Sequence, residues 1–407
     1  MDTFTVHARL RQNRDFRLLA SGRITSQLGD QLQFLALPLL VVTLTGSATQ
    51  AGLVLGAQTT IYLAFGLVAG ALADRWDRKR TMIACDLGRA ALTATIPLAD
   101  AFGALTMSHL YAVAIANGIL ATLFGAASSS ALPNIVPDRQ LPQALGALGA
   151  IGNTVRIAGA ALAGAVYALG RAVPFVANTA TFLVSAATVH AIGSTFQQDK
   201  TERAAPTPRE VLHDIREGLA WLRHQRVIRT LALLDAGDAL RYGAGYLLII
   251  TLAQQLAATP TQIGIVFTGA ALGALLGNLV APKLTRRFAL GRLSIIMLWI
   301  EALAFPFYAI APTWYLLLIV AFAESVVSPV YNVALDDFRL ARTPDRMRGR
   351  VTAGIETLTI GASAIGAMAC GALIAAIGPV PLTWLLTGWL VLLAVAATCS
   401  ATVRRAK

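Results

Sequence analysis

The chain is poor in charge, and poor in the residues that build metal sites, disulfides or nucleotide-binding loops. Only 13% of its 407 residues are Asp, Glu, Lys or Arg, whereas 56% are hydrophobic. A water-soluble protein of this length could not hide so much apolar surface in one core. There are three cysteines, Cys85, Cys370 and Cys399, each inside an apolar segment. That placement suits small packing residues and gives no disulfide framework. The five histidines form no cluster with ligand spacing, so neither a metal nor another cofactor is expected. No Gly-xxxx-Gly-Lys-[Ser/Thr] loop and no soluble domain of nucleotide-binding size occur, which excludes an ATP-driven pump. No nucleophile–base pair with motif support emerges, so the chain is not expected to be an enzyme.

What the sequence has is long apolar runs. A membrane span needs about 20 apolar residues, and twelve candidates fit: 18–44, 49–73, 81–103, 108–132, 142–168, 173–193, 228–256, 262–282, 290–311, 313–334, 350–377 and 380–402. The basic N-terminus (Arg9, Arg11, Arg14, Arg17) precedes an apolar stretch too long for a signal peptide, so the first span is expected to stay. Of 33 Lys and Arg residues, 28 fall on one side of this topology and only Arg171 stands in a loop on the other. Such asymmetry places both termini in the cytoplasm; the expected location is a bacterial-type plasma membrane. It also accounts for the net charge of +12 without a nucleic-acid partner.

A polar interval over 194–227 divides the spans six and six, predicting bundles at 1–193 and 228–407. Within it, Val211, Leu212, Ile215, Leu219 and Leu222 recur at helical spacing, which predicts an amphipathic helix on the membrane surface. The halves also match each other. A shift of 212 residues lays Gly52-Leu-Val on Gly264-Ile-Val, and Arg75 and Arg80 on Arg287 and Arg292. A shift of 207 lays Pro137-Asp138-Arg139 on Pro344-Asp345-Arg346, and Gly159 and Gly164 on Gly366 and Gly371. Parallel six-helix repeats of this kind belong to transporters, with the substrate site near the bilayer midplane. Glycine ladders, Gly66-xxx-Gly70 and Gly269-xxx-Gly273-xxx-Gly277, let helix backbones approach closely.

The loop after the second span reads Gly70-Ala-Leu-Ala-Asp74-Arg75-Trp-Asp77-Arg78-Lys79-Arg80. It closely resembles the signature loop of the major facilitator superfamily. Phe16-Arg17, Gly29-Asp30, Thr45-Gly46-Ser47, Leu132-Pro133-xx-Val136-Pro137 and Arg348-Gly349-Arg350-Val351 are similar to the branch containing macrolide-efflux and enterobactin exporters. The resemblance covers nearly the whole chain. It implies an all-α fold of twelve transmembrane helices in two pseudo-symmetric bundles, working as a monomer by alternating access and exporting a small amphiphile against protons. It further implies that Gly70, Asp74, Arg75, Arg78, Lys79 and Arg80 form a cytoplasmic gating loop. There Asp74 would meet the start of the eleventh span, and the basic residues carboxylates or lipid phosphates. Two features depart from the family pattern. Ala114 stands where such exporters often carry an arginine, three residues before Asn117-Gly118. The segment Gly159-Ala160-Ala161-xx-Gly164 lacks the antiporter proline.

Charges inside spans are costly and so are functional candidates. Asp30 lies near mid-membrane in span one, on a polar stripe with Gln27, Gln31 and Phe34. It would carry protons or meet a cationic substrate, or else be a helix-packing acid. Span seven carries Asp235, Asp238 and Arg241 at spacings of three, either a coupling site or a self-compensating cluster. Glu324 in span ten and Asn117 in span four lie on spans that line the cavity in the resembling fold. Arg156 and Glu356 are candidate partners for these acids. Glu301 falls on a span that is peripheral in that fold, and Asp86 with Arg89, three apart, reads as a structural pair. An importer or uniporter of a small solute stays an alternative, a non-transporting receptor a more distant one.

Overall fold

The computed structural model describes residues 10–196, 213, 216–217, 220–344 and 347–406. Twelve long helices follow one another: α1 (Arg14–Thr45), α2 (Ala48–Arg75), α3 (Arg78–Ala101), α4 (Met107–Ile135), α5 (Leu141–Ala168), α6 (Val173–His190), α7 (Arg226–Gln255), α8 (Pro260–Arg287), α9 (Leu290–Ala304, resuming Pro306–Ala309), α10 (Trp314–Ser325, resuming Val327–Arg342), α11 (Arg348–Ile377) and α12 (Pro379–Cys399). Ten of them are long and apolar enough to cross a membrane. The other two, α2 and α7, run 28 and 30 residues, and the charges inside α7 lower its hydropathy. No strand occurs among the described residues. The chain is a multi-pass helical membrane protein.

Local chemistry sets the helix ends. Asp77 caps α3, its carboxylate accepting from the Arg80 amide at 2.7 Å. Thr259 and Gln262 form a reciprocal capping box at α8, with Pro260 in its first turn. Gly46 (φ +64°) turns α1 into α2, and Gly378 (φ +83°) turns α11 into α12, where a side chain would be strained. The interruptions of α9 and α10 have one cause. Pro306 and Pro329 carry no amide hydrogen for the carbonyl four residues back, so the ladder opens just before each.

The chain forms two compact units whose limits cut through α1, α2 and α5. Unit 1 holds Met1–Phe34, Ala64–Gly159 and Ala172–Thr207; unit 2 holds Leu35–Leu63, Ala160–Arg171 and Pro208–Lys407. Unit 1 is filled by side chains such as Phe16, Leu19, Met82, Leu132 and Ile192. Unit 2 is filled by Leu231, Leu293, Val330, Leu335 and Ala397, and Leu222 from the linker joins them. Of the linker's expected helix, His213, Arg216, Glu217 and 220–224 are helical. Glu217 pairs with Arg350 at the start of α11, at 2.6 Å. Val211, Leu212, Ile215 and Leu219 lie outside the described residues.

The repeat seen in sequence reappears in packing within unit 2. Gly52 of α2 meets Gly371 of α11, and Gly164 of α5 meets Gly264 of α8; a Cβ on any of the four would stand 3.1 Å or less from the partner glycine's backbone. A shift of 212 relates Gly52 to Gly264, and one of 207 relates Gly164 to Gly371. The two crossings are thus the same contact made twice. The ladder Gly269, Gly273 and Gly277 seats α8 against α10 at Leu318, Phe322 and Val326. Gly66 and Gly70 face open space instead.

Candidate functional site

In unit 1, Asp30 on α1 is bridged by Arg89 on α3 at 2.5 Å. The arginine side chain is only 6% accessible and the aspartate 40%. The Arg89 guanidinium also lies over the Phe182 ring of α6, 4.1 Å from its centroid. The spacing of Asp86 and Arg89 suggested a local pair, but the bridge goes across helices to Asp30. Asp86 stays buried, with no hydrogen-bond partner for its carboxyl oxygens among the described residues. Beside this pair lies a neutral network. Asn117 donates to Thr93 (3.1 Å), Thr93 to Gln33 (3.5 Å), and Asn178 to the same Gln33 oxygen (2.7 Å). Asn117 therefore has a structural partner of its own. Gln31 packs at Gly159 and Gln27 faces Gly152, so both touch α5, while Phe34 is exposed.

In unit 2, Arg241 on α7 is the centre, its side chain 3% accessible. It holds Asp238 one turn earlier at 2.8 Å, Glu301 on α9 at 3.5 Å, and Glu324 on α10 in direct contact. Tyr308 donates to the other Glu324 oxygen at 2.9 Å. Asp238 and Glu301 meet at the same guanidinium nitrogen, Nη2, of Arg241. Phe305, at the interruption of α9, stacks under the guanidinium at 5.5 Å. Three carboxyl groups and one cation thus share one buried place. Asp235, a turn below, pairs separately with Arg339 of α10 at 3.5 Å.

The two pairs have opposite polarity in the repeat. The shift of 212 lays Arg89 on Glu301, and Asp30 on Tyr242, the neighbour of Arg241. In unit 1 the acid sits on the first helix of the repeat and the base on the third. In unit 2 the base sits on the first and the acid on the third.

Two expected partners are not brought to either site. Arg156 is exposed and reaches only Asn153 on its own helix, at 3.4 Å. Glu356 is exposed and makes no ion pair among the described residues. Glu301 and Tyr308, set aside or unnoticed in the sequence, belong to the centre of unit 2. In the loop after α2, Arg78 donates to the carbonyls of Ser130 (2.8 Å) and Phe196 (3.2 Å), and Lys79 to that of Ile192 (2.6 Å). Ile192 follows the end of α6, where cations are favoured; Ser130 lies inside α4 and Phe196 in the segment after α6. Arg75 is exposed, Arg80 lends its amide to the Asp77 cap, and the Asp74 side chain lies outside the described residues.

Comparison with known proteins places this architecture. Residues 5–407 match the family described as transmembrane secretion effector. The multidrug efflux pump Tap of Mycobacterium bovis is 27% identical over 385 residues, spanning 89% of this chain and 87% of that protein. Tap of Mycolicibacterium fortuitum is 26% identical over 377 residues, 89% of each chain. Among solved structures, the nucleoside transporter NupG superposes with a TM-score of 0.76 at 14% identity, covering 97% of this chain and 99% of its own. A bacterial homologue of the lysosomal transporter Spinster gives 0.72 at 16% identity, with 98% of both chains covered. A twelve-helix repeat fold with ionised groups inside its spans, matched along almost its whole length, makes this chain a transporter of the major facilitator superfamily, belonging to the transmembrane secretion effector family.

Proposed function

We propose that the transporter exports a small amphiphilic compound in exchange for protons. The halves 1–193 and 228–407 alternate access to the two sides, and both termini lie in the cytoplasm. The observation that carries the direction is the likeness, along nine-tenths of the chain, to multidrug efflux pumps. Accessible aromatic side chains, Phe34, Tyr62 and Tyr242, suit an apolar or amphiphilic cargo. Asp30, accessible where its partner Arg89 is not, offers a carboxylate to a cationic one.

The test compares cells with and without the protein for accumulation of ethidium, a macrolide and a siderophore, each with and without an uncoupler. Export predicts lower accumulation in expressing cells and its recovery on uncoupling. Higher accumulation in expressing cells would establish import instead, and efflux indifferent to the uncoupler would remove the proton. Wild-type ethidium transport by Asp30→Asn in proteoliposomes would remove Asp30 from cargo recognition.

A further inference from the structure

The ionic centre of unit 2 does not balance. Arg241 compensates one carboxylate, yet Asp238, Glu301 and Glu324 all touch it, and no second cation reaches them among the described residues. The groups that interact with the centre come from three helices, while the cations of α8 (Lys283, Arg286 and Arg287) lie in its last two turns. From α7 come Asp238, Arg241 and Tyr242, from α9 Glu301 and Tyr308, and from α10 Glu324 and Tyr331. A further cation on α10, Arg339, is engaged with Asp235 and Asp336. Helix α12 brings no charge between Pro379 and Cys399, and α11 brings the exposed Arg348 at its first residue, Arg350, paired with Glu217, and the exposed Glu356. A buried carboxylate without a cation neutralises by taking up a proton rather than staying charged. Two carboxyl groups can hydrogen-bond only through a proton that one of them holds, because ionised carboxylates are acceptors alone. Asp238 and Glu301 meet at one nitrogen of Arg241, at 2.8 and 3.5 Å, so a proton held by either lies beside the other.

The surroundings tie this proton to movement. Helix α9 is interrupted at Phe305, one turn after Glu301, and α10 at Val326, two residues after Glu324. The carboxyl groups therefore sit at the joints of two helices and meet on a third. Unit 1 sets a neutral network, Gln33, Thr93, Asn117 and Asn178, beside its Asp30–Arg89 pair.

We propose that the Asp238–Glu301 carboxyl pair, clamped by Arg241 and backed by Glu324 and Tyr308, is the binding site of the coupling proton. Substrate arriving, or the joints in α9 and α10 bending, separates the pair and frees the proton; re-forming the pair takes one up. This site rests on the reading of the protein as a proton antiporter. It moves the proton away from Asp30 and leaves that residue to the cargo.

The test uses the full-length protein in proteoliposomes with two independent readouts. Infrared difference spectra between acid and alkaline pH report the protonated carboxyl stretch without any substrate. Ethidium flux reports the ratio of gradient-driven accumulation to equilibrium exchange. The proposal expects Glu301→Gln and Asp238→Asn each to remove a protonated-carboxyl band that Asp30→Asn leaves in place, and to lose gradient-driven accumulation relative to exchange. A band unchanged in both variants, or gradient-driven accumulation retained by both with the wild-type pH profile, overturns it. If a variant fails to fold, Glu301→Asp is the substitute: it keeps a proton carrier at altered reach and should shift the pH profile, and an unshifted profile overturns the proposal. Wild-type flux that ignores the pH gradient overturns the antiport reading and with it the coupling role, whereas the infrared arm still reports whether the pair shares a proton.

Discussion

At the residue scale, both units bury an arginine under a phenylalanine ring and aim it at acids from other helices, and the consequences of removing it differ. Arg241→Gln leaves three carboxyl groups without their cation. The expected loss is roughly 3–5 kcal/mol, the cost of stranding buried charge, read as a lower unfolding temperature in detergent. Adding Glu324→Gln should restore part of it, because fewer carboxylates then lack compensation. Arg78 makes the opposite case near the membrane edge. Its two bonds to backbone carbonyls should be worth about 1–3 kcal/mol, so Arg78→Ala lowers the unfolding temperature measurably. Arg75→Ala, in the same motif but exposed, should stay within about 0.5 kcal/mol of wild type. Two neighbouring arginines of one signature thus separate into a structural and a solvent-facing residue.

At the element scale, helix contacts depend on which glycine is backed by backbone. A side chain at Gly371 would meet the Ala48 carbonyl at 2.5 Å and the Thr49 Cα at 2.9 Å, neither of which can swing aside. Gly371→Val should therefore push α2 and α11 apart. The check is a cysteine at Thr49, in a background with the exposed Cys399 replaced by Ser. It should react faster with a membrane-impermeant maleimide when Gly371→Val is present and at the unaltered rate with Gly66→Ala, since Gly66 faces open space. The helices themselves were legible in sequence, because apolar length is a local property and a span needs little else. The partners were less so. Helical spacing pairs Asp86 with Arg89, but a long guanidinium chooses among all nearby carboxylates, and Asp30 comes from 59 residues away. Glu301 looked peripheral because a single acid in an apolar run shows nothing of the helix opposite. Tyr308 became a ligand of Glu324 only through the break at Pro306, a bend that composition announces but does not aim.

At the scale of the whole molecule, charge distribution fixes orientation before any contact forms. Alkaline phosphatase fused after Gly103 should be active and a fusion at the C-terminus inactive, if the basic side stays in the cytoplasm; the reverse activities would invert the topology. The paired glycine crossings carry one more consequence. Position 52 does not meet its own equivalent, 264, but Gly371, while Gly264 meets Gly164. That is the geometry of a two-fold dimer, in which patch i of one subunit meets patch j of the other and the reverse. An ancestor made of two identical six-helix chains would have used a single gene to write both contacts, and any mutation would have altered both at once. In a single chain the two contacts are written separately. Each crossing can be altered alone, so a substitution at Gly371 leaves the Gly164–Gly264 contact in place.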